Sequence, residues 1–126
     1  MKLEEYNGNS LAFIGDALLS LWVREYLVSL GITKSDELQK ESVRYVSANS
    51  QAAFMQMLLE ENYLTEDEHR IYLRGRNHKS QSKAKNTDVV TYRVATGFEA
   101  LMGYLYLAQN ETRLRQIWDK FKTIQG

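Results

Sequence analysis

The chain has 126 residues, enough for one domain that buries roughly two thirds of the surface its unfolded form exposes, and too few for a second core. Its 16 basic and 16 acidic residues cancel, so no overall charge draws it to nucleic acid, and 44% hydrophobic with 25% charged residues is ordinary for a soluble globular protein. With no cysteine, disulfides, thiolate nucleophiles and cysteine-ligated zinc are excluded and a reducing compartment is permitted.

The opening MKLEEYNGNS has no apolar run of the signal-peptide kind, and no later apolar stretch is long enough to span a bilayer, so a cytoplasmic protein without membrane attachment is expected. Zero prolines and a three-to-four-residue apolar periodicity predict an all-α fold, one domain over residues 1–126. A first helix is predicted from about Ser10 to Leu30, capped by Asn9 or Ser10 and closed by a left-handed turn at Gly31. A second follows from about Ser35 to Val46 and a third from about Asn49 to Glu61. Thr65 to Glu68, TEDE, has the pattern of a capping box and starts a short fourth helix. From Gly75 to Asp88, GRNHKSQSKAKNTD, no large apolar residue occurs, which predicts a surface loop. Val94, Phe98, Leu101 and Leu105 resume a helical stripe to about Ala108, and Glu111 to Thr123 form a last helix with Leu114, Ile117, Trp118 and Phe121 inward.

Two carboxylates interrupt this pattern. Asp16 lies in LAFIGDALLSLWV, and helical steps from it meet Leu19, Ser20, Val23 and Leu27, a mostly apolar stripe in which an ionised acid is expected to be buried and to need a partner. Glu99 lies in TGFEALMGYLYL at the edge of the stripe of Phe98, Leu101, Met102 and Leu105. Small residues flank both, Ala12 and Gly15 in the first case and Ala95, Gly97, Ala100 and Gly103 in the second, so two helix backbones can approach closely. Carboxylates on such helices would make an oxygen-rich site for a hard cation such as Mg²⁺. The alternative for each acid is a solvated side chain paired with lysine or arginine.

The charge is locally uneven. Between His69 and Thr87 there is no acid, while Arg70, Arg74, Arg76, Lys79, Lys83, Lys85 and both histidines, His69 and His78, fall there. Such a segment can lie along a phosphate backbone or simply solubilise a loop. Beside a carboxylate pair, phosphodiester chemistry explains both features together.

These residues carry a family resemblance. NSLAFIGDALL, Asn9 to Leu19, resembles the signature helix of the ribonuclease III family, E-R-L-E-F-L-G-D-A-[VL]-L, and TGFEALMGYLYL, Thr96 to Leu107, resembles its D-x-x-E-A-L-[IL]-G helix. RGRNHKS and KNTDVVTYRVATGFEALMGYLYL are similar to Mini-III, the small branch consisting of the nuclease domain alone, and the length leaves no room for an appended double-stranded-RNA-binding domain. The resemblance implies a helical endonuclease domain cutting double-stranded RNA to 5′-phosphate and 3′-hydroxyl ends, with Asp16 and Glu99 as the catalytic acids holding Mg²⁺ and no nucleotide cofactor. The uneven charge, read together with this chemistry, makes Arg74, Arg76, His78, Lys79, Lys83 and Lys85 the expected RNA contacts, and the resemblance implies a homodimer anchored by Phe13, whose alternative is an ordinary core phenylalanine. By the same resemblance the substrate is a stalk of the large-subunit ribosomal RNA precursor. Family glutamates are replaced by Asn9 and Ala12, and an aspartate by Thr96, which leaves more of any Mg²⁺ coordination to water and phosphate. A ribonuclease III-like domain that binds structured RNA without cutting it is the competing expectation, though such domains typically lose the motif acids.

Overall fold

A computed structural model describes residues 2–78 and 88–125. Among them a short 3-10 turn, Leu3–Glu5, precedes six helices: α1 Gly8–Ser29, α2 Ser35–Val46, α3 Ala48–Glu60, α4 Glu66–Asn77, α5 Val89–Leu107 and α6 Glu111–Gln125. No strand occurs among the described residues, as the periodicity predicts.

Each start has a chemical cause. The Asn7 side chain accepts the Ser10 amide at 2.8 Å, so α1 begins earlier than the expected cap at Asn9 or Ser10. Packing explains the shift: a Cβ on Gly8, the first helical residue, would overlap the Arg74 carbonyl oxygen and lie 2.6 Å from the Gly75 Cα, so this turn seats directly on α4. At the other end Gly31, at φ +92°, supplies the left-handed closure. Ser47 follows α2 and caps α3 by accepting the Ser50 amide. Asp88 caps α5, accepting the Thr91 amide and hydroxyl, both at 2.8 Å.

The capping box of α4 forms as predicted, Thr65 Oγ1 accepting the Glu68 amide at 3.1 Å and Glu68 accepting the Thr65 amide at 3.0 Å. Glu68 is also buried, where Arg113 of α6 meets it with two nitrogens, at 2.7 and 2.9 Å, and donates to the Tyr63 carbonyl at 2.7 Å. One cap therefore also docks the last helix. α4 then continues past the expected loop start at Gly75 as far as Asn77. Gly75 is helical because it is where α4 crosses α5: a Cβ there would lie 2.5 Å from the Ala100 Cβ and 3.0 Å from the Gly97 Cα.

α5 is the central helix, packed on α1, α3 and α4. The core joins Phe54, Phe98 and Phe121, whose rings lie 5.1 to 5.6 Å apart, with Trp118, Leu114 and Ile117 buried beside them as the α6 pattern predicts. A smaller cluster of Leu11, Ala12, Ile71 and Ala100 fills the junction of α1, α4 and α5.

The α1–α5 crossing is the tightest. A Cβ on Gly15 would overlap the Glu99 carbonyl oxygen, and one on Gly103 would overlap the Leu11 carbonyl oxygen. Substituting Gly103→Ala is expected to destabilise the protein: alanine favours the helix by about 1 kcal/mol, but an overpacked contact costs roughly 1–3 kcal/mol, and here what must shift is the backbone of α1 and not the free end of a side chain. A urea unfolding midpoint at or above that of the wild type would show that the helices can separate freely.

Candidate active site

The glycine crossing sets the geometry of the acids. Asp16 follows Gly15 on α1, and Glu99 on α5 is the residue whose carbonyl lies against Gly15, so the two carboxylates arise at one point of the interface. Both line a cleft of about 740 Å³, together with Asn9, Phe13, His78 and Thr96. Ala12 lines it as well, so all three positions at which family acids are replaced face the space that holds the two acids present.

Burial divides the pair differently from the sequence expectation. The buried stripe of α1 runs through Leu11, Ala12, Gly15, Leu18, Leu19, Trp22 and Val23. Asp16 sits one position beyond its edge and is exposed to the cleft; the expectation of a buried aspartate is therefore corrected. Glu99 is the desolvated acid. Its pKa is pushed up from 4.5 to about 8, first by burial, then by the negative charge of Asp16 and the hydrogen bond between the two side chains, with a hydrogen bond from Gln51 acting in the opposite sense.

Gln51 escaped the sequence analysis. It is 1% exposed, and its Nε2 donates to Glu99 Oε2 at 3.3 Å and to the Val46 carbonyl at 3.0 Å. A signal exists in the sequence: Gln51, Phe54, Met55 and Leu58 share one helical stripe, with an amide at its head where an apolar side chain would serve packing better.

The other expected site residues are dispersed. Phe13 is 78% exposed, which removes the alternative of a core phenylalanine in this chain. Arg74 and Arg76 lie on the last turn of α4 and not in a loop. Arg74 Nη1 donates to the carbonyls of Glu4 and Tyr6, both at 3.1 Å, tying the amino-terminal turn to α4, and Arg76 Nη1 donates to Asn77 Oδ1 at 3.0 Å. His78 ends α4 and lines the cleft, its buried Nδ1 without a partner among the described residues. Lys79, Lys83 and Lys85 lie outside the described residues.

The donor set suits a hard cation. Two carboxylates converge, neither ion-paired with lysine or arginine among the described residues, and a dication would relieve both the burial of the Glu99 charge and its repulsion by Asp16, the two largest causes of the raised pKa. Among the described residues no group of three or more histidines or acids stands together; two carboxylates are within the range Mg²⁺ accepts when water completes its shell.

Comparison with known proteins agrees with this architecture. The Ribonuclease III domain family matches residues 9–110, a span that includes both acid-bearing helix segments. Mini-ribonuclease 3 of Enterococcus faecalis is 53% identical over 114 residues, 90% of this chain and 86% of that one. Mini-ribonuclease 3 of Streptococcus pneumoniae is 52% identical, covering 88% and 87%, and that of Staphylococcus aureus 46% identical, covering 94% and 88%. A crystal structure of a Fusobacterium nucleatum protein superposes with a TM-score of 0.84 at 28% identity, covering 97% of this chain and 96% of that one. With similarity along nearly the whole chain, in sequence and in helical architecture, the protein belongs to the ribonuclease III family, in its Mini-ribonuclease 3 branch.

Proposed function

We propose that this endoribonuclease hydrolyses phosphodiester bonds of double-stranded RNA in a Mg²⁺-dependent reaction at the cleft of Asp16 and Glu99. The observation that carries the proposal is the convergence of the two acids with no lysine or arginine paired to either among the described residues; burial first, and then the charge of Asp16, push the Glu99 pKa up to about 8. Asp16 and Glu99 would hold Mg²⁺. When bound, that ion supplies positive charge to the scissile phosphate and lowers the pKa of a water molecule. The rest falls to the chain: Asp16 offers its carboxylate from the open wall, Glu99 from the desolvated floor, and Asn9, Ala12 and Thr96 keep further negative charge out of the cleft that receives an RNA phosphate. Water attacks phosphorus, the bond to the 3′ oxygen breaks, and the products are a 5′-phosphate and a 3′-hydroxyl.

The same proposal assigns RNA-backbone contacts to Arg76, His78, Lys79, Lys83 and Lys85, with Arg74 also supporting the cleft wall through the amino-terminal turn. Helical RNA is read by shape and by its phosphates and 2′-hydroxyls; the resemblance to Mini-III, and not that mode of reading, is what makes a duplex stalk of the large-subunit ribosomal RNA precursor the proposed substrate. The exposure of Phe13 at the cleft supports a homodimer in which each copy cuts one strand. The whole chain, residues 1–126, is taken as one catalytic domain working in the cytoplasm; among the described residues no helix is long and apolar enough to cross a membrane.

A labelled RNA duplex incubated with Mg²⁺ or with EDTA tests the reaction. Asp16→Asn and Glu99→Gln keep shape and remove charge, and each is expected to slow single-turnover cutting by about a hundredfold or more, corresponding to about 2.7 kcal/mol of transition-state stabilisation. Wild-type rates in either variant would refute the assignment. The pH dependence of metal-free stability has a definite sign. Between 4.5 and about 8 the native protein retains the Glu99 proton that the unfolded chain has lost, so this group makes stability fall as pH rises through that interval and level off above it. Glu99→Gln is expected to flatten the slope in urea titrations with EDTA; equal slopes would place the titration elsewhere. For the dimer, Phe13→Ala is expected to weaken association at least roughly thirtyfold, about 2 kcal/mol. Sedimentation equilibrium reads this directly, and a wild-type monomer at micromolar concentration would remove the anchor.

A further inference from the structure

Beside the two acids, one buried side chain is committed to something other than packing. Gln51 of α3 is 1% exposed, and both hydrogens of its amide are used, one on the Val46 carbonyl at 3.0 Å and one on Glu99 Oε2 at 3.3 Å. These partners determine the orientation of the amide, since exchanging its nitrogen and oxygen would set Oε1 against two acceptors. Val46 is the last residue of α2, where a carbonyl has no intrahelical partner, so the anchoring acceptor is both available and held by the backbone. Gln51 Oε1, by contrast, is buried without a partner among the described residues. An orphaned acceptor costs stability, so an apolar residue of similar length would pack this position better. The gain that offsets the cost is at Glu99: the terminal torsion of a glutamate is broad, and the donated hydrogen bond restrains it.

We propose that Gln51 is a positioning residue of the active site, its amide braced on the Val46 carbonyl and holding the Glu99 carboxylate in the orientation in which, with Asp16, it takes up Mg²⁺. The proposal rests on the metal-dependent nuclease reading above and adds a residue that touches neither RNA nor ion. Groups that orient a metal-binding carboxylate typically change metal affinity or activity by about 10–100-fold when removed. α2 and α3 thereby acquire a role at a site whose acids belong to α1 and α5.

Gln51→Met and Gln51→Leu remove the donor and the orphaned acceptor while keeping the volume nearly constant. The first readout needs no RNA: the melting temperature of the full chain is followed as Mg²⁺ is added, because a ion bound to the native state raises it. Both variants are expected to melt, without metal, at or above the wild-type temperature, and to need about tenfold or more Mg²⁺ for the same rise. The second readout is single-turnover cleavage of an RNA duplex at saturating RNA, in which the half-saturating Mg²⁺ concentration should rise by a similar factor while duplex affinity in EDTA stays unchanged. Wild-type Mg²⁺ dependence in both variants would overturn the proposal. So would failure of both to fold, or a fall in metal-free melting temperature that accounts for the lost cleavage, because either makes Gln51 a structural residue. A wild-type protein indifferent to Mg²⁺ in both measurements would overturn the metal reading itself, and this proposal with it; that result is read before any variant is compared.

Discussion

The close approach of α1 and α5 at Gly15 and Gly103 is the constraint on which the remaining structure depends. Each glycine sits where a carbonyl oxygen of the other helix would overlap a side chain, at Glu99 for Gly15 and at Leu11 for Gly103. Backbones this near leave no room for side chains between them, so the residues adjoining the contact are forced to its edges. On one edge the apolar positions, Phe98, Leu101, Leu19 and Val23, enter the core. On the other, Asp16 and Glu99 meet at the cleft. The device that closes the core is therefore also the one that brings like charges together, a placement that packing alone would avoid.

The pair is asymmetric, and the asymmetry has chemical content. Asp16 is open to the cleft, whereas Glu99 is largely withdrawn from water beneath it, and burial outranks the charge of Asp16 among the causes of its raised pKa. An acid in that state is held ready for a positive partner, a proton near neutral pH or a cation that displaces it. Asn9, Ala12 and Thr96, which line the same cleft, add no further negative charge to it.

Much of the fold and of the site was legible in the residues. The apolar periodicity of the central and final helices, the capping box at Thr65 and Glu68, and the left-handed glycine at Gly31 depend on neighbours within a few positions, and all three appear in the structure. The small residues around Asp16 and Glu99 pointed to helices in close contact, and they are. The errors fell where distant residues decide. α4 runs on through Gly75 because α5 presses against it there, and the first turn of α1, capped locally by Asn7, starts at Gly8 where it rests on α4; neither packing partner is near in sequence.

What the sequence determined by itself is the helical class, the inward faces and the presence of two acids on helices built for close packing, because periodicity, caps and residue size act over one or two turns. Only the tertiary structure decided which acid is desolvated. Asp16 and Glu99 each lie at the margin of an apolar stripe, and a margin becomes floor or wall according to what covers it: Glu99 is covered by Gln51 from α3 and faces Asp16 from α1, while Asp16 opens on the cleft. The role of Gln51 was decided in the same way. A buried amide acquires its meaning from partners 5 and 48 residues away in sequence, and only folding makes those residues neighbours.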